Sequence, residues 1–150
     1  MHTYDDALAA IMTYSRKYRR DDVPPLEIVG LCDLDPHLEG ADARVTSDWS
    51  KPWPNNHRFG VYLIFDERVA LLYVGKSSGM GIGRRLYDWF GQGERCRVSP
   101  GHWSRRPRYV LSAAVPVEMH FEASALEEYL IRELDPCDNA RGRLRTTPVA

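Results

Sequence analysis

Apolar positions along the chain follow two different spacings, and the changes between them mark out the elements. Residues 3–20 carry Leu8, Ile11, Met12 and Tyr18 at roughly helical intervals, which predicts an amphipathic helix. Thr3 stands where it can cap that helix. Asp5 and Asp6 lie in its first turn and the basic run Arg16–Arg20 in its last, so each sign suits the helix dipole. The basic run therefore reads as a solvated helix end and not as a nucleic-acid contact. Asp21-Asp22-Val23-Pro24-Pro25 then stops the helix. Residues 26–58 hold no sustained period. Leu26–Leu31 is a short strand candidate, and beyond it Pro36, Gly40, Pro52 and Pro54 interrupt the pattern. With Trp49 and Trp53 as packing anchors, this segment reads as a loop-rich arm laid over the core.

From Phe59 the pattern sharpens. Phe59–Phe65 and Val69–Val74 are runs rich in β-branched and aromatic residues, separated by Asp66-Glu67-Arg68, and together predict an antiparallel hairpin. A glycine-rich loop, Gly75 to Gly83, opens into a predicted helix over Gly83–Phe90 with Leu86, Trp89 and Phe90 as apolar positions. After a basic, polar stretch, Tyr109–Val117 reads as a third strand. Ala123–Leu134 is the clearest helix, with Ser124 as its cap, Leu126, Tyr129, Leu130 and Leu134 on one face, and Pro136 ending it.

Composition adds bounds. One hundred and fifty residues, 43% hydrophobic and 27% charged, suit one ordinary globular domain. No apolar run approaches the ~20 residues that a membrane-spanning helix needs. Asp5 and Asp6 stand where a secretory signal would carry basic residues. Cys32, Cys96 and Cys137 are widely spaced, without a zinc-type pattern, so they read as free thiols or small hydrophobes and suggest a reducing, cytoplasmic setting. The net charge of −1 conceals an uneven distribution. Segment by segment it is −5 over residues 1–50, +2 over 51–83, +5 over 84–108 and −3 over 109–150. An anionic partner is thus expected at the middle of the chain alone.

The glycine-rich loop first suggests phosphate binding, but no GxxxxGK[ST] string occurs, and Gly79, Gly81 and Gly83 give GxGxG where a dinucleotide fold needs GxGxxG. A hairpin followed by helix, strand and helix also does not make a parallel sheet. The ordered set of features fits something else. Gly60-Val61-Tyr62 lies on one hairpin strand and Tyr73-Val74-Gly75-Lys76 on its partner, with ten residues between the two tyrosines. Arg85-Leu86 follows on the next helix, Leu126-Glu127-Glu128-Tyr129-Leu130-Ile131 on the last, and Pro136-Cys137-Asp138-Asn139 after it. Over roughly residues 59–139 this succession resembles the GIY-YIG nuclease family.

The resemblance implies an α+β fold: a small three-stranded antiparallel sheet flanked by helices. Residues 59–139 would form that core, residues 1–58 an accessory helical and loop arm packed on it, and residues 140–150 a mobile tail. It further implies divalent-metal-dependent hydrolysis of DNA phosphodiesters. By position, Tyr62 and Tyr73 match the motif tyrosines, Arg85 the catalytic arginine and Glu127 the metal-binding carboxylate, with Lys76 and Asn139 at further motif positions. Should the helix phase differ, Arg84 takes the place of Arg85. The residue types suit the chemistry. A guanidinium and a cation offset charge building on a phosphate oxygen, a single carboxylate suits Mg²⁺ (or Mn²⁺), and nearby Lys76, Arg85 and metal would lower a tyrosine pKa enough for proton transfer. Either tyrosine could be that base. Four residues after Arg85, where the family often carries His or Tyr, this chain has Trp89, which neither accepts a proton nor binds Mg²⁺.

The basic stretch Gly91–Arg108 is then expected to contact substrate through Arg95, Arg97, His102, Arg105 and Arg106, with Trp103 either stacking on a base or anchoring the loop. The implied partner is double-stranded DNA, with a homodimer as one route to cutting both strands and no membrane association. Two other readings stay open: a non-catalytic binding module on the same fold, and a nuclease acting on RNA.

Overall fold

A run of fully covered strand residues sets the architecture. In the computed structural model, which describes residues 1–49, 52–99 and 101–139, β3 (Gly60–Asp66) is buried along its whole length. Its side chains alternate between two cores, and neither face is left to solvent. Val61, Leu63 and Phe65 enter one core with Leu111, Leu126 and Leu130, while Tyr62 and Ile64 enter the other with Ile82, Leu86 and Phe90. A strand covered on both faces belongs in the interior of a sheet, between two others.

That sheet has five strands where three are expected from the sequence. Its order is β2-β1-β5-β3-β4, with β1 at Glu27–Asp33, β2 at Val45–Asp48, β4 at Leu71–Ser77 and β5 at Pro107–Ala114. Strands β4, β3 and β5 pair antiparallel, β1 pairs antiparallel with β5, and β2 runs parallel to β1, so the sheet is mixed. The two added strands come from residues 27–48: β1 answers to the Leu26–Leu31 strand candidate, and β2 is hidden among glycine, proline and polar residues. β2 is only four residues long, with no buried position, so it carries no alternation to read.

Helices α1 (Tyr4–Tyr18) and α3 (Glu122–Leu134) cover one face, and α2 (Ile82–Phe90) covers the other together with Trp49 and Trp53. At the start of α1, the Asp6 carboxylate accepts a hydrogen bond from the Thr3 backbone N–H at 2.9 Å. The buried stripe of α1 is Tyr4, Ala7, Ile11 and Tyr14, whereas Met12 and Tyr18 are 54% and 65% exposed. The expected face is therefore rotated. Packing selects small Ala7 and the rings that reach Phe65 and Tyr129. Arg19, just past α1, is not solvated as expected. It forms a two-pronged ion pair with Glu122 on α3, at 2.7 and 3.0 Å, with both side chains no more than 7% exposed. Helix α3 begins at Glu122, which leaves Ser124 inside it and not at its cap.

Burial pushes the Cys32 and Cys96 thiols up to about 12, so neither ionises near neutral pH. No described helix is long and apolar enough to cross a membrane. Residues 140–150, expected to be a mobile tail, lie outside the described residues.

Candidate active site

The centre of the candidate site follows from the β3–β4 register. Tyr62 stands opposite Gly75 and Val61 opposite Lys76, while Tyr73 pairs with Ile64 next to an irregularity in the ladder. Gly60, which leads into Tyr62, has φ +154°, and a Cβ there would fall 2.1 Å from the Ala113 carbonyl oxygen. Glycine is what lets β3 approach β5 so closely.

Tyr62 and Tyr73 lie with ring centroids 6.2 Å apart at one wall of a cavity of about 350 Å³. Lys76 from β4, Arg85 from α2 and Glu127 from α3 complete the walls, with the loop Ser78–Met80 at the mouth. Side chains from two strands and two helices thus meet at one place. The neighbouring candidates point elsewhere. Arg84 is 65% exposed and 3.7 Å from Asp88, and Glu128 lies on the exposed side of α3. The Lys76 ammonium donates to the Ser124 hydroxyl at 2.9 Å, tying β4 to α3 near Glu127.

Burial dominates the electrostatics of the protein groups at the site. Burial pushes the Tyr62 hydroxyl above its ordinary value, and the opposing pull of the Trp89 hydrogen bond and of Arg85 does not cancel it. Tyr73 is raised more strongly, by burial first and then by Tyr62 and Glu127. Arg85 pulls both phenols down, but burial outweighs it in each. Glu127 is raised as well, because burial outweighs Lys76 and Arg85. Among the described residues no three His, Cys, Asp or Glu side chains gather into a metal cage. One half-buried carboxylate beside phenol and hydroxyl oxygens fits a hard, largely hydrated cation such as Mg²⁺, and not zinc.

Asn139 serves the strand. Its side-chain oxygen accepts from the Val74 N–H at 2.8 Å, and its NH₂ donates to the Val74 carbonyl at 3.0 Å. It thereby satisfies the open edge of β4 between Tyr73 and Gly75, as an edge strand requires.

The arginines of the basic stretch lie outside the cavity. Arg95 and Arg106 approach the two oxygens of Asp35 at 3.3 and 3.7 Å, each remaining at least 60% exposed. Arg105 holds Asp66 at 2.6 Å, at the opposite end of β3 from Tyr62. Arg97 lies against Gly91. Together with Arg106 it lines a second basin, which Tyr87 and Trp89 share. His102 packs edge-on against Trp89 at 5.8 Å, and Trp103 stacks on Phe90 at 6.1 Å and 13°, so Trp103 anchors the stretch to the core.

Two contributors are missing from the sequence-based set. Trp89 donates its indole N–H to the Tyr62 hydroxyl at 3.0 Å, and its distance of one helical turn from Arg85 was the available signal. Gly75 lies beneath the Tyr62 ring, which only the strand register reveals. Comparison with known protein families, with curated proteins and with solved structures returns no match.

Proposed function

We propose that the protein is a GIY-YIG-type endonuclease that hydrolyses DNA phosphodiesters with the help of a divalent metal ion. The observation that supports this reading most is the meeting of Tyr62, Tyr73, Lys76, Arg85 and Glu127 on one cavity. Cations at Arg85 and Lys76 suit a phosphodiester and the charge that builds on it during attack. Glu127 would hold Mg²⁺ or Mn²⁺, which supplies further positive charge against that build-up. The two phenols bring exchangeable protons to the same cavity, at Oη of Tyr62 and of Tyr73. The exposed Arg84, Arg95, Arg97 and Arg106 would supply contacts for the flanking backbone. Cutting both strands calls for two such cavities, which a second copy of the chain would supply.

The test is cleavage of plasmid and linear duplex DNA with Mg²⁺ or Mn²⁺, using wild type, Arg85→Ala and Glu127→Gln. Wild type should cut, and each variant should lose about 100- to 1,000-fold in kcat while its melting temperature stays near that of wild type. A folded wild type that leaves DNA uncut but degrades RNA moves the substrate to RNA. One that leaves both uncut but binds them makes the fold a binding module.

A further inference from the structure

Taking the cavity as the hydrolytic site proposed above, we infer that Trp89 is a positioning residue: its indole N–H fixes the Tyr62 hydroxyl as a hydrogen-bond acceptor, so that the phenol's own proton points into the cavity. The contact is direct, 3.0 Å from Trp89 Nε1 to Tyr62 Oη. An indole can only donate, and a phenol has a single proton. With one side of the Tyr62 oxygen taken by the indole, and with Arg85 also able only to donate to it, that proton must turn toward the oxygens of Tyr73 and Glu127 on the same cavity. Tyr62 is fully buried, so no solvent competes for the hydroxyl along its packed sides. A histidine in place of Trp89 could do the same through a ring N–H, whereas a phenylalanine could not.

The indole is itself held. Tyr73 meets it at 5.4 Å, Trp103 at 5.0 Å and His102 at 5.8 Å, three rings around one side chain. Trp89 also follows Arg85 by four residues on α2, so both project toward Tyr62 from the same side of the helix. The aromatic residues of the basic stretch, His102 and Trp103, thereby gain a purpose other than base stacking. They fix the angle of the group that fixes Tyr62.

Trp89→Phe keeps an aromatic ring in the cluster and removes the donor, whereas Trp89→His returns a ring N–H. The expected result is a fall in kcat of about 10- to 100-fold for Trp89→Phe, with KM and the melting temperature unchanged, and recovery of most of the loss in Trp89→His. Wild-type kcat in Trp89→Phe would overturn the assignment. A second readout needs neither activity nor a variant of Trp89. The Trp89 indole N–H proton resonance should move upfield and exchange faster with solvent in Tyr62→Phe than in wild type, and an unchanged resonance would overturn the assignment. If wild type cleaves nothing, the hydrolytic reading fails by itself, and the indole resonance still decides the orientation of Tyr62.

Discussion

Gly75→Ala is expected to lower cleavage by about 100-fold and to cost about 1–3 kcal/mol of stability, although it adds only one methyl group. A Cβ on Gly75 would fall 2.4 Å from both Cζ and Oη of Tyr62, and 2.7 Å from Cε2. Neither side yields easily. Gly75 is held within the β3–β4 ladder directly opposite Tyr62. The Tyr62 ring is fully buried, with its hydroxyl fastened to Trp89. The clash falls on the reacting end of the ring and not at its root, so any relief moves the hydroxyl. A displacement of about 1 Å at a reacting group is enough for a loss of that size. Urea denaturation reads the stability change and plasmid cleavage the activity. Gly93→Ala is the matched control, since its Cβ comes no nearer than 3.8 Å to the Arg95 carbonyl oxygen. If Gly75→Ala behaved like Gly93→Ala in both measurements, the Tyr62 ring could not lie across Gly75.

The same glycine shows where reading the sequence succeeds and where it stops. Gly75 stands out in the string from Tyr73 to Lys76, and the two runs around it are legible as a hairpin from their β-branched and aromatic content. Its function as a floor for Tyr62 is a matter of register, which no local pattern encodes. Glu127 rather than Glu128, and Arg85 rather than Arg84, came from the resemblance, and α2 and α3 bring Arg85 and Glu127 to the same cavity. A basic stretch does not tell which carboxylates its charges lie beside, and Arg95, Arg105 and Arg106 lie beside Asp35 and Asp66. The phenols illustrate a related gap. The cations beside Tyr62 and Tyr73 can be counted along the chain, but burial, which decides the direction of both shifts, depends on what packs above them. Strand β1 answers to the Leu26–Leu31 candidate, whereas β2 escaped for lack of pattern. Its place comes from pairing parallel with β1, which β5 holds in the sheet from the other side.

Glu122→Ala is expected to destabilise the protein by about 3–5 kcal/mol, or roughly 10 °C in melting temperature for a chain of this size. The residue looks unremarkable in sequence, an acidic side chain in the first turn of a helix. In the fold it accepts two hydrogen bonds from Arg19 and one from the Tyr14 hydroxyl at 3.0 Å, all with little exposure to water. Removing the carboxylate strands a guanidinium in the interior, and that desolvated charge is what makes the loss large. The attraction itself is worth less than its disruption suggests, because both ions give up hydration to form the pair. Arg19→Met combined with Glu122→Leu should therefore be far more stable than Glu122→Ala alone. The double variant also bears on what the N-terminal residues contribute. Glu127 lies about a turn and a half beyond Glu122 on the same helix, so the Arg19–Glu122 pair sets where α3 rests against α1. If an apolar pair restores both stability and cleavage, the N-terminal helix acts by anchoring α3 and hence Glu127. A Glu122→Ala loss of less than about 1 kcal/mol, the range of an exposed pair, would instead mean that water reaches Arg19 and that α3 is held by its apolar face alone.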